Sequence, residues 1–154
     1  MSTTRYTTRD YAAIIPDLRR LGYHADLTPG HAGAPTLTVG RHDDAHILFD
    51  GSWRRDDGQT GPDPASLLAA YRADRLREAR RHLASTDLKG MARDLIELDH
   101  GTPVSAIHAA RLDKDGLHAD YRAWNRPPET IILPEPAATL ARLLDRLETS
   151  WILD

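Results

Sequence analysis

The chain contains no cysteine, which excludes a disulfide scaffold, a thiolate metal cage and a cysteine nucleophile. No apolar run approaches the roughly eighteen residues of a membrane span, so no membrane role is expected. The opening MSTTRYTTRD lacks the apolar core of a signal peptide, which makes a cytoplasmic protein the expectation. Lysine is almost missing: Lys89 and Lys114 stand alone among basic residues that are otherwise arginine. Together with abundant alanine this reads as coding bias, so arginine count by itself says little about phosphate binding. The net charge of -3 gives no general attraction to nucleic acid or anionic membrane.

Signatures of chemistry are scarce as well. Gly30, Gly33 and Gly40 fit neither a dinucleotide fingerprint nor a P-loop. There is no nucleophile elbow, and Ser52, Ser66, Ser85, Ser105 and Ser150 each read as turn, cap or surface residues. No cofactor is implied, and a non-enzyme is the favoured expectation.

What is present is an ordinary globular composition, 40% hydrophobic and 28% charged over 154 residues. That length suits one domain, 1–154, able to bury about two thirds of its unfolded surface. An N-terminal helix with Pro16 in its middle should kink or split into 8–15 and 16–21, and Gly22 should end it. Residues 23–28 alternate as a strand, with Tyr23, Ala25 and Leu27 inward and His24 and Asp26 outward. TLTVGR and AHILFDGSW form a hairpin whose three-residue loop, His42-Asp43-Asp44, pairs Val39 with Ile47 and Leu37 with Phe49. After a polar loop (54–64), Asp63-Pro64 starts a helix reaching about residue 84, with Ala65, Leu68, Ala69, Leu76, Ala79 and Leu83 inward. A second helix, 87–99, buries Leu88, Met91, Leu95 and Leu98 and stops at Gly101, although Gly90 interrupts it. VSAIHAARL and LHADYRAW then turn at Asp113–Gly116, pairing Leu112 with Leu117, Ala110 with Ala119 and His108 with Tyr121. TIIL (130–133) is another strand, and Pro134-Glu135-Pro136 opens a last helix buried through Leu140, Leu143, Leu144, Leu147 and Trp151.

The order α-βββ-αα-βββ-α predicts an α+β fold, a mostly antiparallel sheet with flanking helices. In this element order the chain resembles the small chaperones of specialised secretion systems. The resemblance implies a twisted sheet flanked by helices and a homodimer.

Candidate residues for chemistry fall into a few groups. GYHADL (22–27) and GLHADY (116–121) repeat a His-Ala-Asp step, which places His24 with Asp26, and His118 with Asp120, on one face of a strand. The apolar neighbours define the core side, so all four should face away from it. RHDDAH (41–46) offers a metal set of His42, Asp44 and His46, the basis of an alternative reading as a metal-assisted hydrolase. His108 is expected on the apolar face, hydrogen-bonded to a hydroxyl or carbonyl. RADRLREARRH (72–82) carries Arg77, Arg80 and Arg81, the basis of a second alternative as a nucleic-acid-binding accessory protein. Trp53 beside Arg54, and Trp124 between Arg122 and Arg126, have the composition of protein-binding hot spots. The leading expectation is therefore a small accessory protein of adaptor, chaperone or immunity type. Its partner would be another protein, contacted through Trp53, Arg54, Arg77, Arg80, Arg81 and Trp124.

Overall fold

In the computed structural model, residues 6–29, 35–40 and 42–149 are described. They form an α+β fold with antiparallel strands, in the expected succession of helix, strands, two helices, strands and helix. No helix among the described residues is long and apolar enough to cross a membrane. The chain divides into two compact units, Met1–Arg19 with Tyr23–Tyr71, and Arg20–Gly22 with Arg72–Asp154.

Pro16 splits the N-terminal helix into α1 (Thr8–Ala12) and α2 (Ile15–Arg20). It lies in the first turn of α2, where its missing N–H has no intrahelical acceptor to lose. Gly22, at φ +86°, ends the run. The Tyr23 N–H donates to the Leu18 carbonyl at 3.1 Å, the closing bond of a Schellman motif.

In the first unit, β1 (Ala25–Thr28), β2 (Thr36–Val39), β3 (Ala45–Ile47), β4 (Trp53–Arg55) and β5 (Thr60–Gly61) form an antiparallel meander in that order. The expected β2–β3 register is corrected: Leu37 lies opposite Ala45, not Phe49. The Asp44 carboxylate accepts the Val39 N–H at 3.2 Å, so a side chain closes the connection where a further ladder pair was expected. Leu37, Val39 and Ile47 are buried as expected, but Phe49 is 86% exposed. AHILFDGSW, read as one strand, folds back at Asp50-Gly51, where Gly51 takes φ +90° and the Leu48 N–H donates to the Ser52 carbonyl. Asp57-Gly58 makes a second turn between β4 and β5, inside the segment read as a polar loop. Both are Asp-Gly hairpin signals.

α3 (Pro64–Ala84) starts where expected, with the Asp63 carboxylate accepting the Ser66 N–H at 2.8 Å. Leu68, Leu76 and Ala79 are buried, whereas Ala65 and Ala69 are exposed and Leu67, Tyr71 and Arg75 take inward positions. In the second unit α4 (Leu88–His100) is capped by Asp87 and ended by Gly101 at φ +67°. It packs against β6 (Val104–Asp113), β7 (Gly116–Ala123) and α5 (Pro136–Thr149), while β8 (Pro128–Leu133) completes a second antiparallel sheet beside β7. Leu112 pairs with Leu117 and Ala110 with Ala119, as expected. A bulge between Ile107 and Ala109 then puts Ile107 opposite Tyr121. His108, expected there on the apolar face, is exposed. Leu140, Leu143, Leu144 and Leu147 are buried on α5; Trp151, expected to continue that stripe, lies outside the described residues.

Candidate functional site

Arg75, within the arginine-rich segment 72–82 of α3, is only 2% exposed. Its carboxylate partners on α4, Asp94 and Glu97, are 0% and 1% exposed. The guanidinium meets Asp94 Oδ1 at 2.5 Å, Glu97 Oε1 at 3.4 Å and Glu78 Oε2 at 3.4 Å. Its Nε donates to the Leu21 carbonyl at 3.0 Å. Spacing explains the assembly: Arg75, Glu78 and His82 recur at three and four residues along α3, and Asp94 and Glu97 stand three apart on α4. Two glycines make room for it. A Cβ at Gly22 would fall 2.3 Å from Glu97 Cβ, and one at Gly90 would fall 2.4 Å from Asp87 Oδ2 and 2.5 Å from the His82 ring.

His82 completes this network. Its Nδ1 lies 2.5 Å from Asp94 Oδ2 and its Nε2 lies 3.6 Å from Asp87 Oδ2. The hydrogen bond to Asp94, aided by the charges of Asp94, Glu78 and Asp87, raises its pKa above the ordinary histidine value, against the opposing effect of burial. Glu78, His82 and Asp94 bring one donor atom each within 4.8 Å of one another, a spacing that could suit a cation. Arg75 already supplies positive charge at Asp94 Oδ1, while His82 engages Oδ2. The arrangement therefore reads as an internal ion network. Asp113, Asp115 and His118 form a second such group at the β6–β7 turn. There Asp113 accepts the Asp115 N–H at 2.8 Å and meets His118 Nε2 at 2.8 Å. These contacts, the backbone bond first, hold its carboxyl below the usual range.

The residues singled out in the sequence are dispersed. Trp53, expected to contact a partner, is buried at 3% exposure: its indole N–H donates to Ser66 Oγ at 2.9 Å, and Gly61 packs against the ring. Arg54 is exposed on β4 opposite His46. Its neighbour Arg55 turns inward, its guanidinium 4.6 Å from the Tyr71 ring centroid and 3.1 Å from Asp57. Arg77 pairs with Asp74, Arg80 with Glu148, and Arg81 is exposed. His42, Asp44 and His46 do not converge. His42 stacks edge-on against Tyr23, Asp44 takes the Val39 N–H, and His46 lies between Thr36 and Asp56. His24 and Asp26 meet at 3.2 Å on a half-exposed strand face, while Asp120 accepts from Thr130 on the outward face of β7.

Trp124 remains accessible, at 46%. It follows β7 in a turn where Asn125 takes φ +58°, the Trp124 N–H donates to Pro103 and the Arg126 N–H donates to Ala123. Asparagine tolerates that left-handed backbone better than most residues. Beside the indole lies an open recess of about 440 Å³, lined by Thr102, Pro103, Tyr121, Arg126 and Glu129 among others. The Tyr121 hydroxyl donates to Glu129 at 3.0 Å, and burial followed by this contact raises its pKa. Sequence reasoning found Trp124 by composition. It missed the Arg75 network, whose traces were the three- and four-residue spacing within each helix and the glycines beside it, and it missed the exposure of Phe49. No family model, curated protein or solved structure matches this chain.

Proposed function

We propose that this chain is a small cytoplasmic accessory protein, of adaptor, chaperone or immunity type, that works by binding another protein at the Trp124 recess. One observation carries the reading: an indole 46% exposed, held in a hydrogen-bonded turn beside a recess of about 440 Å³ that offers Arg126 and Glu129 as polar contacts. Tryptophan and arginine are the side chains that dominate binding energy at protein interfaces. A pre-formed turn adds little ordering cost on association. The sequence-based alternatives draw less support, because the His42, Asp44 and His46 set is dispersed and two of the three arginines named on α3 are ion-paired.

The test is affinity purification from the native host with the wild-type chain and Trp124→Ala, followed by titration of the recovered partner. A hot-spot indole is worth about 2 kcal/mol or more, roughly a thirtyfold loss in affinity for the variant. Equal affinity for both chains would sink the reading. Sedimentation of the same sample separates a second copy of the chain from a different protein, and metal analysis addresses the hydrolase alternative.

A further inference from the structure

The tip of the β6–β7 hairpin gathers Asp113, Asp115 and His118, none of which lines the Trp124 recess. Each puts one ligand atom within 4.8 Å of the other two. Antiparallel pairing explains the convergence. Asp113 lies opposite Gly116 and Arg111 opposite His118, so Asp113 and His118 are diagonal neighbours on one face, and Asp115 stands in the turn that joins them. Asp120, the other member of the His-Ala-Asp step, is held by Thr130 and takes no part.

Two details separate this group from ordinary surface carboxylates. Asp113 is pre-set: its Oδ1 accepts the Asp115 N–H at 2.8 Å, while its Oδ2 stands 2.8 Å from His118 Nε2. That ring nitrogen is closed off from solvent and makes no aligned hydrogen bond. Nitrogen and oxygen lone pairs so close repel each other unless positive charge sits beside both. An imidazole with two carboxylates is a donor set that suits a transition-metal ion. Arg111 competes for the same Asp113 oxygen at 3.3 Å, but its side chain is 71% exposed, and so exposed a pair holds weakly. Between α3 and α4, by contrast, the buried Arg75 already occupies Asp94.

We propose that Asp113, Asp115 and His118 form a site for a divalent transition-metal ion, best suited to Zn2+, that fastens the tip of the β6–β7 hairpin. Ligand atoms bound to such an ion at about 2.0–2.2 Å stand about 3–3.5 Å apart. Asp113 and His118 nearly hold that spacing, and the exposed Asp115 reaches it by side-chain rotation. Water completes the coordination. Calcium takes about six to eight oxygen ligands, more than two carboxylates supply. The site shares no residue with the Trp124 recess and does not depend on the chain binding a protein.

The experiment titrates the full-length chain, freed of metal with a chelator, with Zn2+ and separately with Ca2+ by calorimetry, at a pH where histidine is neutral. Asp113→Asn, Asp115→Asn and His118→Gln are compared with His46→Gln and His82→Gln as controls at other histidines. Expected are a single tight Zn2+ per wild-type chain, at least about a tenfold loss of affinity in each of the first three variants, and unchanged affinity in the controls. Ca2+ at the same concentrations should not bind. In the wild-type chain the His118 ring nitrogen resonance should shift on Zn2+ addition, a readout that needs no variant to fold. Zn2+ should also raise the melting temperature of the wild-type chain and not that of His118→Gln. No Zn2+ binding, undiminished affinity in any of the three ligand variants, an unmoved His118 resonance, a loss in either control, or equal binding of Ca2+ would each overturn the proposal.

Discussion

Replacing Arg75 by methionine is expected to cost far more stability than replacing any of its exposed neighbours on α3. Methionine fills a similar volume and keeps the helix, so the loss isolates the charge. Removing the guanidinium leaves Asp94 and Glu97, at 0% and 1% exposure, without their cation, and leaves the Leu21 carbonyl without its donor. Breaking a buried pair on one side costs about 3–5 kcal/mol, a large part of the roughly 5–15 kcal/mol that holds a domain together. With a urea slope of about 1–3 kcal/mol per molar, the midpoint should fall by roughly 1–5 M. Arg77→Met is the control: the Arg77 side chain is 67% exposed beside Asp74, so the unfolding free energy of this variant should stay within about 0.5 kcal/mol of wild type. Neutralising the orphaned partners in Arg75→Met/Asp94→Asn/Glu97→Gln should recover part of the loss, because the penalty lies in unpaired buried charge. A drop as small as that of Arg77→Met, or a triple variant worse than the single one, would refute this account of the network.

Two further outcomes follow from the same cluster. His82 has a raised folded-state pKa, so its contribution is fully present below the unfolded value near 6.5 and is lost as pH rises through the folded value. Urea midpoints measured from acid to alkaline pH should therefore decline for wild type across that window, and the difference from His82→Gln should shrink; a parallel profile for the variant would contradict this. Gly90→Ala reverses the usual rule for a helix interior, where alanine gains up to about 1 kcal/mol. Here the added Cβ meets the His82 ring and Asp87 Oδ2, so thermal unfolding should show a loss of about 1–3 kcal/mol, and a stabilised variant would count against the close approach.

Much of the fold was legible because it is written in local chemistry. Asp63-Pro64 opens α3, Asp87 caps α4, Gly101 ends it and Gly22 ends α2, each through bonds made within a few residues. The β6–β7 register was readable from its turn as far as Ala110, after which a bulge displaced His108. No local residue preference announces that bulge. The β3–β4 and β4–β5 turns were legible in principle, since Asp50-Gly51 and Asp57-Gly58 are standard hairpin dipeptides. They were overridden by the apolar run of AHILF, which alternation alone extends past its true end at Ile47. Phe49 then lands on the tip and not in the core.

The charged network was hidden for a different reason. Assigning helix faces by hydrophobicity leaves every arginine and carboxylate off the inward face, and so divides α3 at the wrong positions: Ala65 and Ala69 were placed inward, whereas the buried Arg75 was not. Burial of charge depends on a partner, and the two fully buried carboxylates that meet Arg75 lie on another helix, 19 and 22 positions along the chain. No window short enough to show periodicity contains both. The glycines were the overlooked clue. Gly90 reads as a defect when α4 is taken alone, but beside His82 and Asp87 it is the only residue without a Cβ to clash. The same step accounts for the repeated His-Ala-Asp segments, whose identity was local: His24 pairs with Asp26 in one unit, whereas His118 pairs with Asp113 in the other and leaves Asp120 to Thr130. The same His-Ala-Asp step acquired different partners because partner choice is settled by the strands beside it and not by the step itself.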